Sequence, residues 1–582
     1  MRNKFVVVGL IVIGVILATA LSLQLFVYFW ITPVLNAVFK ESVSYYSSGL
    51  YEVSYEDMDV NALSQSVSFK DFQLNYDSAR VEAEDSLRKG KWVAAYVGDF
   101  ELSLDNFWSM IPQRYLKINA LKIKSPRLTV VNYDFKKPKK QDSISLDKIR
   151  QFDAHALIKE YFDSLDVVEL EIQEANLKWV DKKSEQLPFS LGDVHANILK
   201  LHIDSGTVNR NYGYPYAEEF ILEVENTTFI TPDSLYALRF GHLRADPVKE
   251  ELLIDSFSME PQKPLYQFAR DLGYQKERIN LSVANIDLQH IDLHYLVSDL
   301  ALLVGKITIE DAELFVFKDK RLPRPPFKVK PMVQEAILNI PIPFRLDTLK
   351  LLRGNIAYRE HVPDAEETGQ ITFEDLYMTA YNISNLDSLR KLNQSMEADI
   401  QTRLMGKSQL NLHFNFPMNS PSQQHYIRGE MYEFALKDMN AMVENTAFAS
   451  VESGHAFALK FDLYADEKQS SGDVHFAYRD LKIKLVNKKN PNDPSLKEVL
   501  GSLVANMFVI KQDNPSSNSQ PLRIGAIGFE RNPDKSVFAY WWKSLLSGLK
   551  GSMGINNDHA EPKQEEEKEG FFKRLFRKKE SD

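Results

Sequence analysis

The chain is 582 residues long, too long for one ordinary compact domain unless its architecture is elongated or repetitive. Its 44% hydrophobic and 26% charged content belongs to folded protein, and a net charge of −10 removes any global electrostatic case for binding nucleic acid. With no cysteine, disulfides, thiolate catalysis and cysteine-ligated zinc are all excluded.

The N-terminus opens with Arg2 and Lys4, after which no charged residue occurs from Phe5 to Phe39. The run Phe5 to Trp30 is almost wholly apolar, and about 20 such residues at a rise of about 1.5 Å cross a hydrocarbon core of about 30 Å. Residues 1–34 are therefore expected to form a single transmembrane anchor, carried by Phe5, Leu10, Ile13, Leu17, Leu21, Phe26, Tyr28 and Trp30. The preceding basic residues place the N-terminus in the cytoplasm, and Phe26, Tyr28, Phe29 and Trp30 suit the far headgroup region. Ala18-Thr19-Ala20 has the form of a cleavage site, but the apolar run continues past it, which favours an uncleaved anchor.

Residues 35–425 read as a repetitive β body. The 35 Phe and 25 Tyr favour strands, and apolar residues alternate with period 2. A change of phase recurs within that alternation. Leu121-x-Ile123 is followed by Leu128-x-Val130, and Leu170-x-Ile172 by Leu177-x-Trp179. Leu201-x-Ile203 leads to Gly206-x-Val208, Ile307-x-Ile309 to Leu314-x-Val316, and Leu349-x-Leu351 to Ile356-x-Tyr358. Apolar side chains thus fall at positions 1, 3, 8 and 10, with a small residue or Pro at position 6. A straight strand would turn its second half to the other face, so either a bulge after position 3 or a tight turn at positions 4 and 5 must intervene. Repetition of the unit suggests one supersecondary device used many times.

Short helices are expected over Leu146 to Leu165, Leu265 to Leu272, Leu293 to Leu303 and Leu386 to Met396. Two basic, Pro-containing stretches, Lys136 to Lys140 and Lys318 to Lys330, read as solvated connectors. Residues 426–555 form a β-meander block, with strands over Phe457-x-Leu459-x-Phe461-x-Leu463, Val474 to Tyr478 and Leu481 to Leu485. Its flanking helices are Val499 to Ile510, opened by a capping box at Ser495 and Glu498, and Val537 to Leu549. Residues 556–582 are a tail. Phe571, Phe572, Leu575 and Phe576 share one helical face, opposite or beside Lys573, Arg574 and Arg577, a pattern that suits an anionic membrane surface.

Catalytic constellations are absent from this text. There is no nucleophile elbow, zinc helix, Walker loop or dinucleotide fingerprint. His290 and His294 are four apart without further ligands, and Glu310-Asp311 and Glu374-Asp375 fall at the bulge or turn positions, where carboxylates avoid burial. The chain is expected to be no enzyme and to need no cofactor or metal.

The anchor, the stretch SGLYEVSYEDMDVN from Ser48, the unit LKIKSPRLTV from Leu121, and the block ESGHAFALKFDLYADEKQSSGDVHFAYRDLKIKL from Glu452 together resemble the AsmA-like and TamB-type envelope proteins. The resemblance implies an anchor in a bacterial inner membrane, a periplasmic body and an elongated antiparallel sheet curled into an apolar groove. It further implies phospholipids and other envelope proteins as partners, and a role in outer-membrane biogenesis. The expected fold class is mainly β with a few helices. The groove residues would be Leu121, Ile123, Leu128, Val130, Leu170, Ile172, Leu177, Ile307, Ile309, Leu314, Leu349, Leu351, Ile356, Phe457, Leu459 and Phe461. An envelope scaffold without lipid transfer, and an enzyme acting on lipid or glycan, are the competing readings.

Overall fold

A computed structural model describes residues 24, 43–44, 47–61, 64–84, 87, 91–105, 114–133, 162–181, 186–206, 217–231, 233–292, 301–390, 392, 395–485 and 510–555. Within them the chain is mainly β, and its 22 strands belong to one mixed sheet. Strands β1 (Tyr51–Ser54) and β2 (Asp57–Asn61) share the first rung, both pairing with β3 (Ser66–Tyr76). After β4 (Lys91–Leu104), β5 (Tyr115–Lys124) and β6 (Arg127–Asn132) share a rung in the same way. The sheet continues in chain order through β7 (Ser164–Asp181), β8 (Gln186–Asp204), β9 (Glu219–Ile230), β10 (Tyr236–Asp246), β11 (Glu251–Pro261) and β12 (Arg278–Ile291). Next come β13 (Leu302–Asp319), β14 (Phe344–His361), β15 (Gly369–Ser384), β16 (Ser395–Leu404) and β17 (Ser408–Pro417). Finally β18 (His425–Met431) and β19 (Phe434–Ala435) share a rung, followed by β20 (Ala449–Ala465), β21 (Gln469–Leu485) and β22 (Ile524–Glu530). Because three rungs are shared by two strands each, the 22 strands make 19 rungs. At about 4.8 Å per rung the sheet is about 90 Å along its pairing direction.

Neighbouring rungs are antiparallel except at two joints, where β5 and β6 run parallel to β7 and β13 runs parallel to β14. A parallel step needs a crossover rather than a hairpin. Residues 320–343, which include α3, supply the second of these. Among the described residues six α-helical segments occur: α1 (Ser78–Ala83), α2 (Gln267–Leu272), α3 (Val333–Leu338), α4 (Asp387–Arg390), α5 (Asn440–Thr446) and α6 (Val537–Ser552). The expected helices at Leu265 to Leu272 and Val537 to Leu549 correspond to α2 and α6. Within Leu386 to Met396 the helix α4 is described over Asp387–Arg390, and Ser395 already begins β16, where cross-strand pairing with β15 and β17 overrides helical spacing. Leu302 and Leu303 likewise belong to β13, and Ser164 and Leu165 to β7. Phe162, Asp163 and Ala301 are described and not helical, whereas residues 146–161 and 293–300 lie outside the described residues, as does the stretch Lys136 to Lys140. So does the expected helix from Val499, of which only its last residue, Ile510, is described. Of the expected connector Lys318 to Lys330, Lys318 and Asp319 still belong to β13, where pairing with β14 continues, and residues 320–330 are a connector, as the prolines require.

Helix α6 illustrates why the C-terminal end is compact. Ser536 caps it, its side chain accepting from the Ala539 N–H at 3.3 Å. Val537, Tyr540, Ser544, Gly548 and Ser552 recur at helical spacing and are all buried. A Cβ on Gly525 would lie 1.8 Å from the Gly548 carbonyl oxygen, so only glycine lets β22 approach the helix backbone this closely. The largest hydrophobic cluster gathers here, joining β15 to β22 with α6, and Tyr478, Ala456 and Val474 are fully buried in it. Elsewhere the buried clusters are small, such as Met58, Val60, Val67 and Phe69 at the first rungs.

Candidate functional site: an apolar face divided by a crease

The phase change read from the sequence is a backbone feature. At position 5 of the unit, Ser125, Glu174, Asp311 and Arg353 all have positive φ, from 49° to 59°. In β7, β13 and β14 the strand runs on through that residue, and at Ser125 it breaks for two residues between β5 and β6. The device is therefore a left-handed kink or bulge inside a strand and not a tight turn. The fifth copy departs from the rule, since β8 ends at Asp204 and its left-handed residues are Asp193 and Lys200. Val208 lies outside the described residues.

The kinks align across rungs. Asp71 lies opposite Gly98 in the ladder, Asn226 and Ser256 flank Gly241, and Asp311, Arg353 and Asp375 continue the line through β13, β14 and β15. A Cβ on Gly241 would meet the Ser256 Oγ at 2.1 Å, so this crossing requires glycine. The result is one crease running along the sheet. A depression of about 390 Å³ sits on it, lined in part by Phe240, Phe257 and Val283. The residues at the crease are polar and lie on the surface. Ser125 donates to Glu174 at 2.8 Å, Arg353 donates to Asp311 at 2.7 Å and to Glu310 at 2.9 Å, and Arg403 meets Asp375 at 3.6 Å. Asp311 first, then Glu310, push the Arg353 guanidinium further up its already high range. The acidic pairs read as structural are thus crease residues.

Beside the crease, apolar partners follow one another without a gap. Met58, Phe69, Phe100, Ile123, Ile172 and Ala196 are successive cross-strand partners on the first six rungs. Leu222, Ala245, Leu252, Leu288, Ile307 and Leu349 continue the row. Ala380, Ala398, Phe414, Ile427, Leu463, Gly472 and Ile527 complete it. One apolar residue or glycine per rung therefore spans all 19 rungs. Across the crease a second row runs through Val53, Leu74, Ala95, Leu128, Leu177 and Leu191, and resumes through Leu238, Met259, Leu281, Leu314, Ile356 and Phe373. Leu349 and Phe373, on opposite sides of the crease, pack against the same cluster, so the two rows share a face. Positions 1 and 3 of the unit lie on one side of the crease and positions 8 and 10 on the other.

Burial along this face is uneven. Ile123, Ile172, Leu222, Leu252, Ile307 and Leu349 are only half-buried, and Leu128 is 39% exposed. From Ala380 onward every apolar side chain of the first row is buried. Most of the sequence-derived residues fall on the half-buried part: Leu121, Val130, Leu170, Leu177, Ile309, Leu314, Leu351 and Ile356. Leu459 and Phe461 instead belong to the covered core. Phe457 differs from both. The register slips between Ala456 and Ala458, which turns Phe457 out to 51% exposure beside His455. The alternation Phe457-x-Leu459-x-Phe461 concealed that slip.

Helices α3 and α5 lie against β15, and α6 covers the last rungs. Trp541 packs on Phe414 and Phe416, and its indole N–H donates to His425 Nε2 at 2.8 Å. His425 Nδ1 bonds the Gln423 carbonyl at 3.0 Å, and burial holds the imidazole below its ordinary pKa, hence neutral. Sequence reading missed this pin because the two residues are 116 positions apart.

Among the described residues one cluster of titratable groups stands apart from the crease. Asp166 accepts from the Tyr115 hydroxyl and contacts His202 Nδ1, and His202 Nε2 meets Asp204 at 3.1 Å. Asp166 first raises the His202 pKa, and the same carboxylate holds the Tyr115 hydroxyl up at about 12. Both imidazole nitrogens are committed to carboxylates, on the face opposite Val167. His290 is exposed at a left-handed position, and His294 lies outside the described residues. Among the described residues no group of three or more His, Cys, Asp or Glu could hold a metal ion.

Of the expected anchor only Gln24 is described, and its side-chain amide donates to the Val60 carbonyl on the first rung at 2.9 Å. Phe5, Leu10, Ile13, Leu17, Leu21, Phe26, Tyr28 and Trp30 lie outside the described residues, as do Phe571, Phe572, Lys573, Arg574, Leu575, Phe576 and Arg577 of the tail. No helix among the described residues is long and apolar enough to cross a membrane. Comparison with family models and with curated proteins found no match to this chain.

Proposed function

We propose that the creased apolar face is the floor of an elongated groove that holds phospholipid acyl chains, in a protein anchored by residues 1–34 to a bacterial inner membrane with its body in the periplasm. The observation that carries this reading is the unbroken row from Met58 to Ile527, half-buried at seven of the ten rungs from β4 to β14. An apolar face of that extent left to water invites aggregation. Acyl chains covering it would gain about 25 cal/mol per Å² of apolar area buried. With one similar side chain per rung, a chain shifted by one rung finds nearly the same contacts, so sliding meets low barriers. Among the described residues the floor offers no feature for headgroup selection. The crease suits the role, because it lets both rows face one lumen while polar residues take the outer ridge.

The likeness of the anchor and strand units to AsmA-like and TamB-type proteins points the same way, toward phospholipid handling in envelope biogenesis rather than catalysis. The contact of Gln24 with the first rung supports a groove that begins beside the anchor. Purifying the full chain in mild detergent, quantifying co-purified phospholipid by mass spectrometry and adding a fluorescent phospholipid tests the reading. Bound phospholipid and saturable uptake are expected; a lipid-free chain with no uptake would contradict it.

A further inference from the structure

The connector between β13 and α3 is strongly basic, with Arg321, Arg324, Lys328 and Lys330 following Lys318 and Lys320 around a single acid, Asp319. It is held at both ends. Gln275 Nε2 donates to the Leu322 carbonyl at 2.8 Å, and the Lys330 N–H donates to the Pro533 carbonyl at 2.8 Å. The connector therefore runs against the turn that opens α6. Between those ties Phe327 stands 72% exposed and Val329 53% exposed. On the adjoining first turns of α6, Phe538 is 72% and Trp542 50% exposed, one helical turn apart on the same side. Lys318, Lys320, Arg321 and Lys535 each pair with a carboxylate, Glu277, Glu360, Asp319 and Asp534 respectively, while the exposed Arg324, Lys328 and Lys330 supply cationic charge beside the protruding aromatic rings.

Exposed Phe and Trp from two segments, set among Arg and Lys, match the chemistry of an anionic bilayer surface: rings enter the headgroup boundary while the cations stay among phosphates. We propose that this patch, formed by residues 324–330 and the N-terminal half of α6, docks the C-terminal end of the sheet on an anionic membrane. First-rung contacts of Gln24 lie at the opposite end of the 19-rung sheet, so this membrane would be a different one from that holding the anchor, or a distant part of it. The inference stands apart from the groove reading, since docking needs no bound lipid.

The test uses the full chain in phosphatidylcholine nanodiscs held on a sensor surface, with vesicles of phosphatidylcholine alone or mixed with phosphatidylglycerol flowed across. Capture of the phosphatidylglycerol vesicles, and little capture of the neutral ones, is expected. F327S/F538S/W542S should weaken capture at least about tenfold, given the apolar area each ring buries. R324Q/K328Q/K330Q should weaken it about tenfold or more and abolish the preference for phosphatidylglycerol. Because the tail carries its own basic aromatic stretch, deletion of Gly570 to Asp582 serves as a control that must leave both sensitivities in place. All the substituted side chains are exposed, and an unchanged melting temperature verifies that each variant is folded. Parent-like capture by both triple variants would overturn the proposal, as would equal capture of neutral vesicles or complete loss on deleting the tail. A patch variant that turns a dimer into a monomer without changing capture would also overturn it, identifying a second copy of the chain as the occupant.

Discussion

The two ends of this sheet solve the same physical problem differently. Rungs β15 to β22 bury their apolar face in one core, with α3 and α5 against β15 and α6 over β20 to β22; Trp541 of α6 lies on Phe414, and its Gly548 meets Gly525 backbone to backbone. Rungs β4 to β14 carry the same row of apolar partners, yet Ile123, Ile172, Leu222, Leu252, Ile307 and Leu349 remain half-buried. The covered end behaves as an ordinary core, in which each residue contributes to stability. Along the open stretch the same residue types bury less area and contribute less to folding.

A charge placed on each part separates the two ends most strongly. Leu459→Asp should destabilise the covered end by about 4 kcal/mol or more, because the carboxylate has no partner there. Ile309→Asp, half-buried on the open face, should cost about 1 kcal/mol and leave a folded chain that carries less phospholipid. Chemical denaturation read beside lipid content distinguishes the two; equal unfolding by both would erase the distinction. A smaller effect is expected at the seam of the cover. Gly525→Ala should cost about 2–3 kcal/mol and lift α6, seen as faster hydrogen exchange confined to Val537–Ser552 and its partners.

The crease offers a milder perturbation. At Glu174, with φ of 53°, Glu174→Val should destabilise by about 2 kcal/mol because a β-branched residue resists the left-handed region. Glu174→Gly, for which that region is open, should remain within about 1 kcal/mol of the parent, losing only an exposed bond from Ser125. Similar losses in both would mean that backbone conformation is not what Glu174 supplies.

The smallest effect expected is the pH response of the cover. His425 is neutral in the folded protein and its pKa lies below the ordinary value of about 6.5. The unfolded chain therefore takes up the proton first as pH falls. The stability tied to the Trp541 bond is present above about pH 6.5 and is lost as pH drops from there through the folded value. Replacement of His425 by Asn should flatten that part of the pH profile. An unaltered slope would remove His425 as its source.

The unit at positions 1, 3, 8 and 10 made the sheet legible before any coordinates, because a period of 2 with a fixed phase change leaves few alternatives. Ile307, Ile309, Leu314, Leu349, Leu351 and Ile356 all fall where the unit puts them. Sequence alone left open how the phase changes, because a kink and a tight turn make the same demand on spacing. Only φ at Ser125, Glu174, Asp311 and Arg353 separates them. Cover was not legible either. Leu459 and Ile309 look alike in the sequence, and what differs is a helix that begins only at Val537, far along the chain from both. Phe457 was misplaced for a related reason, since a one-residue register slip changes no local composition.

What touches the open row can be read there directly. A photo-crosslinking amino acid at Ile307 and another at Leu463, in the full chain irradiated in its native membranes, would be read by mass spectrometry. Phospholipid adducts at position 307, and only intrachain adducts at position 463, are the expected result. Intrachain or protein adducts at both positions, with no phospholipid at 307, would contradict the account.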